Sequence, residues 1–336
     1  MLPTIQDIAR LAGVSPTTVS NVIHGNDRRV SAATRQRIKA VIKAQGYVPN
    51  LSARSLKTNT SRIIAMFNAI VPEESGGSLQ DPFHSALLTG IERELRGSDY
   101  FLMVRSVSSA EELLRYLNNW KVDALIMTGI ISDAFYQALR SQAAPFLLVD
   151  SYVEGEAGLR IRLEDRQGAR LAAEHLLGLG HRDILFCGPQ PLDRGVIAER
   201  LAGLRETLAE HGIAHPDSLI RPCPMGIDEA VAVGRELALR NDFTAIFATA
   251  DVLAAGIVSG LQSAGRRVPK DISVVGFDDL AIARLSLPPL TTVRQDVVAR
   301  GQQGARMLLR ALKGESVEAL LTPVTLTVRG STGRLE

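Results

Sequence analysis

Residues 4–24, Thr4-Ile-Gln-Asp-Ile-Ala-Arg-Leu-Ala-Gly-Val-Ser-Pro-Thr-Thr-Val-Ser-Asn-Val-Ile-His24, carry two short helical patterns separated by a tight turn at Ala12-Gly13-Val14. Ile5, Ile8 and Leu11 recur at helical spacing, and Val14, Val19, Val22 and Ile23 continue the apolar side. Thr4 predicts an N-cap for the first helix. Ser15 predicts one for the second, with Pro16 at the first helical position, where its missing N–H costs nothing. The pattern is that of a helix-turn-helix. Its second helix turns Thr17, Thr18, Ser20 and Asn21 outward, short hydrogen-bonding side chains suited to base edges and phosphates. The alternative is a helical hairpin packed on a larger core.

Charge favours the first reading. The chain has 38 basic and 36 acidic side chains. Nine of the basic ones fall within residues 1–60 (Arg10, Arg28, Arg29, Arg35, Arg37, Lys39, Lys43, Arg54, Lys57) against two acids, Asp7 and Asp27, which leaves 29 against 34 for the rest. A basic end on a mildly acidic body is the electrostatic footprint of nucleic-acid binding. Ser31 to Gly46 adds a third helix with Ser31 as N-cap, Ile38, Val41 and Ile42 inward, and Gly46 as its stop. After Tyr47, Pro49 breaks the chain and Asn50 can cap a short helix that ends near Lys57. So short a helix does not persist alone in water and needs something to hold it, for which DNA is the candidate.

Beyond residue 60, short apolar runs alternate with amphipathic helical stretches. The runs at 62–67, 100–104, 124–127, 146–149, 184–187, 245–247 and 272–275 predict buried strands of parallel sheets covered on both faces. About 270 such residues exceed one comfortable core, which predicts two α/β lobes. No signal-peptide core and no run of eighteen apolar residues occurs, and Cys187 and Cys223 lack metal-ligand or redox spacing. These features predict a cytoplasmic, nucleoid-associated protein without metal or cofactor. An enzyme is the rival class. No dinucleotide or phosphate-binding glycine loop, nucleophile elbow or His-Glu-x-x-His occurs, and His181-Arg-Asp183 reads as a helix-to-strand turn. The expectation is a protein without catalytic residues.

Several motifs in order resemble the LacI/GalR family of bacterial transcriptional regulators. In the head and hinge they are Ile8-Ala-Arg-Leu-Ala-Gly-Val-Ser-Pro-Thr-Thr-Val-Ser20, Gly46-Tyr-Val-Pro-Asn50 and Ala53-Arg-Ser-Leu56. In the body they are Gly180-His-Arg-Asp-Ile184, Arg200-Leu-Ala-Gly203, Val268-Pro-Lys-Asp-Ile-Ser-Val-Val-Gly-Phe-Asp-Asp279 and Pro288-Pro-Leu-Thr-Thr-Val-Arg-Gln-Asp296. The resemblance implies an all-α helix-turn-helix head (1–46), a hinge helix (47–60), and a two-lobed, periplasmic-binding-protein-like α/β core with parallel sheets. It places 61–161 with 291–320 in the first lobe and 162–290 with 321–331 in the second, the chain crossing near 161, 290 and 321.

The resemblance also distributes roles. Pro16, Thr17 and Asn21 fall at the base-reading positions of the recognition helix, with Ser15, Thr18 and Ser20 beside them. Thr4, Asn26, Tyr47 and Asn50 fall at phosphate contacts. Leu56 falls at the wedge that two hinge helices drive into the minor groove of a near-palindromic operator, with Ala53 and Lys57 adjacent; the alternative is that Leu56 covers lobe surface. Arg200 and Asp278 are implied to face one small-molecule effector between the lobes, with Phe83, Asp150 and Arg194 as further lining residues. A structural salt bridge between Arg200 and Asp278 is the alternative. The family usually has Ala-Asn-Asp where this chain has Thr249-Ala250-Asp251, and the loop 71–81 is long and acidic. A sugar or sugar derivative is the expected effector class; a purine or nucleoside corepressor, or an enzyme on a sugar-binding fold, is the alternative.

Assembly is expected to be a homodimer. A final strand is expected at 322–328, and the eight residues after it, two of them glycine, leave no heptads for a tetramerising coiled coil. The dimer contact is expected at Ala254, Ala255, Val258 and Leu261 with 281–285, because residues 251–264 are apolar round much of their circumference. The alternative is a helix simply buried in its own chain.

Overall fold

The computed structural model describes residues 3–23, 25–48, 60–69, 80–129, 133–152, 158–190 and 193–335. It separates into a small unit, Met1–Ser61, and a large one, Arg62–Glu336.

The small unit holds α1 (Ile5–Ala12), α2 (Pro16–Ile23) and α3 (Ala32–Gln45). A capping box starts α1: Asp7 N–H donates to Thr4 Oγ1 at 3.3 Å while Thr4 N–H donates to Asp7 Oδ2 at 3.0 Å. Gly13 and Gly46, at φ 61° and 60°, end α1 and α3 in the left-handed conformation that a side chain would resist. Ile8, Ala9, Ala12, Val19, Val22 and Ile38 form the core. Leu11, expected inward, is 53 % exposed. Ala12 takes the inner position, so the buried stripe of α1 runs through 5, 8, 9 and 12.

In the large unit the first sheet contains β1 (Ile63–Asn68), β2 (Phe101–Ser106), β3 (Ala124–Thr128), β4 (Phe146–Val149) and β5 (Leu159–Leu163), joined by β11 (Leu320–Thr322). The second contains β6 (Ile184–Gly188), β7 (Ile220–Pro222), β8 (Ala245–Ala248), β9 (Ser273–Asp278), β10 (Thr291–Arg294) and β12 (Thr325–Thr327). Their orders are β11-β5-β4-β3-β1-β2 and β12-β10-β9-β8-β6-β7. Every pairing is parallel except β10 with β12.

Helices cover both faces of each sheet, as parallel pairing requires. On the first lobe these are α4 (Pro82–Leu95), α5 (Ala110–Asn119), α6 (Asp133–Arg140) and α12 (Val297–Leu312). On the second they are α7 (Asp165–Gly178), α8 (Gly195–Glu210), α9 (Ile227–Leu237) and α10 (Asp251–Ser263), with the short α11 (Ala281–Leu285) beside α10. Helix α12 comes from the far end of the chain yet seats on α4 backbone to backbone. A Cβ on Gly90 would stand 2.0 Å from the Val298 carbonyl oxygen, and one on Gly301 would stand 2.3 Å from that of Leu87. This close approach carries Arg300 into the first lobe.

The chain passes between sheets three times: after β5, after β10, and between β11 and β12. Residues 291–294 were expected in the first lobe. They pair instead with β9, so that passage falls at 295–296. The segment 322–328 was expected as one final strand. Pro323, which has no N–H to donate, divides it, leaving Leu320–Thr322 in the first sheet and Thr325–Thr327 in the second. Helix α10 is buried within its own chain: Ala254, Val258 and Leu261 are at most 2 % exposed. Its all-round apolarity is used by β8, β9, α9 and α11, which removes these residues as a dimer face.

Candidate functional site

The head presents the predicted reading surface on α2. Ser15, Pro16 and Thr17 are exposed, and Thr18, Ser20 and Asn21 are half-buried at the margin of the head core. Ser15 Oγ accepts from Thr18 N–H at 3.1 Å and contacts Thr18 Oγ1 at 2.9 Å, so these two hydroxyls are partly committed to capping. Asn26 is exposed; Thr4 is exposed and engaged with Asp7. Tyr47 packs against the core cluster of the head. Arg28, Arg29, Arg37, Lys39 and Lys43 are exposed and have no acidic partner among the described residues, whereas Arg35 pairs with Asp27. Asn50, Ala53, Leu56 and Lys57 lie outside the described residues.

Between the two sheets of the large unit, charged side chains converge where strands end. Arg200 on α8 is buried and donates through Nε to Asp165 Oδ1 at 2.8 Å and through Nη1 to the Thr249 carbonyl at 2.5 Å. Its guanidinium lies 3.5 Å from the centroid of the Phe277 ring. Asp278, the last residue of β9, is also buried and accepts from Gln295 Nε2 at 2.6 Å. Burial pushes the Asp278 carboxyl well above the usual carboxylate range, while the nearby Arg200 pulls it down. Arg200 and Asp278 are thus brought into one electrostatic neighbourhood. The salt bridge of Arg200, however, is made with Asp165.

Two bridges cross from lobe to lobe. In one, Arg300 on α12 pairs with Asp150 at the end of β4 and donates through Nη1 to Gln295 Oε1 at 2.6 Å, while the other end of Gln295 holds Asp278. In the other, the Tyr152 hydroxyl, in the loop after β4, donates to Asp165 Oδ2 at 2.7 Å, and Asp165 holds Arg200. A cavity of about 240 Å³ opens beside Asp278, with Ala86, Leu280, Gln295 and Val297 among its lining residues.

The other expected residues are less central. Phe83 is half-buried at the start of α4, its ring edge-on to His84 with centroids 5.3 Å apart. Arg194 is exposed at the N-cap of α8, 3.5 Å from Asp193. Sequence reasoning missed Tyr152, Asp165, Gln295 and Arg300. Gln295 was inside a quoted motif, and Asp165 lies just after the expected crossing near 161, but neither had a partner visible in sequence. Among the described residues no group of His, Cys, Asp and Glu could hold a metal ion, and no helix is long and apolar enough to cross a membrane.

A helix-turn-helix head joined to two parallel α/β lobes, with charged residues converging between them, defines a DNA-binding regulator whose body is built to hold a small ligand. Comparison with known proteins agrees. Residues 4–50 match the family described as bacterial regulatory proteins, lacI family, and residues 173–332 match the periplasmic binding protein-like domain. The chain is 35 % identical to the HTH-type transcriptional regulator CelR of Thermobifida fusca over 98 % of both proteins. A structure described as a CelR–cellobiose complex aligns with a TM-score of 0.72 and 31 % identity, covering 98 % of this chain and 99 % of that one. The lac repressor dimer bound to operator and the anti-inducer ONPF aligns with a TM-score of 0.86 and 28 % identity, over 99 % of this chain and 100 % of that one. The chain belongs to the LacI family. It is a transcriptional regulator and not an enzyme.

Proposed function

We propose that the protein is a cytoplasmic, nucleoid-associated homodimeric repressor whose affinity for a near-palindromic operator is set by a small carbohydrate bound between its lobes. The observation that carries this reading is the pair of cross-lobe bridges ending on Asp278 and Arg200. Asp150 and Asp278 supply acceptors from opposite lobes, Arg200 and Gln295 supply donors, and a sugar hydroxyl both donates and accepts. The CelR–cellobiose complex supports the ligand class. Ala250 stands where the family's asparagine would be, so contacts to hydroxyls fall to Asp278, Arg200, Asp150 and Gln295, with Phe83 and Arg194 at the margins. A ligand that favours one lobe closure shifts the hinge population and thereby operator affinity.

In the head, Pro16, Thr17 and Asn21 read base edges in the major groove, and Ser15, Thr18, Ser20, Thr4, Asn26, Tyr47 and Asn50 hold phosphates. Leu56 with Ala53 and Lys57 opens the minor groove. The dimer contact includes Leu285 and Leu287, which are 80 % and 79 % exposed at and just after α11. Two experiments test the reading. Light scattering should give twice the 36.3 kDa chain mass. Calorimetry with cellobiose, ribose and hypoxanthine should show heat of binding for a sugar; binding of hypoxanthine alone would overturn the carbohydrate assignment.

A further inference from the structure

Asp278 and Asp279 both have left-handed backbones, at φ 112° and 57°. L-residues other than glycine rarely adopt such angles, and two in succession persist only where the surroundings over-determine them. At the end of β9 the surroundings do so. Arg329 Nη2 donates to Asp279 Oδ1 at 2.5 Å, while Arg329 Nη1 donates to the Leu290 carbonyl and its backbone N–H to Thr291 Oγ1, each at 2.9 Å. The Leu280 N–H donates to Asp251 Oδ2 at 2.8 Å. Asp251 is itself held by the Thr292 hydroxyl at 2.6 Å. It reaches this place because residue 276 is glycine: a Cβ there would stand 2.4 Å from Asp251 Oδ1. The residues on either side of the turn are therefore pinned to the sheet from below. The segment supplying Arg329 is anchored in turn by Ser331, whose hydroxyl donates to the Val274 carbonyl at 2.6 Å.

We propose that Arg329, acting through Asp279 and together with Asp251, is a positioning residue for ligand recognition: it holds the left-handed turn that aims the Asp278 carboxylate between the lobes. The inference rests on the reading that Asp278 belongs to the effector site. Arg329 itself pairs with the next residue along and needs no contact with ligand. Its replacement frees residues 278–280 to relax toward ordinary backbone angles, and the carboxylate moves with them.

The test compares wild type with Arg329→Met, which keeps the aliphatic stem, and Asp279→Asn. Cellobiose affinity is read by calorimetry and exchange of the Leu280 amide proton by NMR or mass spectrometry. Each variant should bind cellobiose at least about tenfold more weakly, the loss of one well-placed hydrogen bond to a charged group. The double variant should bind no more weakly than the worse single one, and the Leu280 amide should exchange faster in all three. A folded Arg329→Met protein that binds cellobiose within about twofold of wild type would overturn the proposal. If Arg329→Met does not fold, Asp279→Asn decides on the same two readouts. Should wild type not bind cellobiose, the ligand reading fails on its own account. Leu280 exchange then decides: protection retained in Arg329→Met overturns the positioning role, and protection lost supports it.

Discussion

Tyr152 of the first lobe donates its hydroxyl proton to Asp165 of the second at 2.7 Å, and the same carboxylate holds Arg200. Burial raises the Asp165 carboxyl above its ordinary value, Arg200 lowers it, and the Tyr152 hydroxyl bond helps keep it ionised. A tyrosine in one lobe thus stabilises the counter-ion of an arginine in the other. Tyr152→Phe removes that bond with little change in volume. The expected cost to the closed, ligand-bound form is about 1–2 kcal/mol, roughly a five- to thirtyfold loss of sugar affinity. Calorimetry checks it, and unchanged affinity would mean the bridge is not used in the bound state.

Asn21 can pair with the N6 and N7 edge of an adenine. Asn21→Ala should lower discrimination at one position of each operator half-site by about 1–3 kcal/mol and leave affinity for non-specific DNA unaltered. Binding measured against a library of half-site variants checks this. Uniform weakening on all sequences would make Asn21 a phosphate contact.

Leu56→Ala should lower operator affinity and reduce DNA bending, because a minor-groove wedge offsets the cost of unstacking, a few kcal/mol, with added contact. Sugar binding should be unaffected. Gel mobility of circularly permuted operator fragments reads the bend, and equal bending by variant and parent would remove Leu56 from the wedge position.

Burial pushes the Asp251 carboxyl up to about 7, against 3.8 for a free side chain. The folded protein therefore holds this proton more tightly than the unfolded chain. The resulting stabilisation is fully present below about pH 4 and is lost as the pH rises through about 7. Asp251→Asn keeps an acceptor for the Leu280 N–H or the Thr292 hydroxyl but does not titrate. Urea unfolding at pH 4.5 and 7.5 should show wild type losing more stability across this interval than the variant, by an amount on the order of a few kcal/mol. Asp165 and Asp278, also raised by burial, act in the same direction in both proteins. Equal slopes would place the titration elsewhere.

Much of this architecture is legible in the sequence. Seven short apolar runs marked strands because parallel sheets bury both faces, and Thr4, Gly13, Ser31 and Gly46 marked helix ends through capping chemistry that is local in sequence. Strands β5, β7, β10 and β11 were less visible. They are short or polar, and β11 reaches its partner β5 only from near the far end of the chain. The division of 320–327 at Pro323 could have been read from the proline alone. The site divides the same way. Arg200 and Asp278 were carried by motifs, whereas Arg300 became visible only when α12 seated on α4 through Gly90 and Gly301. Apolarity alone misled at α10, because helix–helix packing inside one chain needs the same small, all-round apolar surface as a dimer contact.

A sugar between the lobes should control operator binding through Asp278. Fluorescence anisotropy of an operator selected from random DNA, titrated with wild type and with Asp278→Ala in the presence and absence of cellobiose, measures this coupling. Cellobiose should change the operator affinity of wild type by roughly 5- to 150-fold, the usual range of allosteric coupling. Asp278→Ala should bind the same operator as tightly as sugar-free wild type and show no response. A variant that responds to cellobiose as wild type does would show that the sugar acts without Asp278.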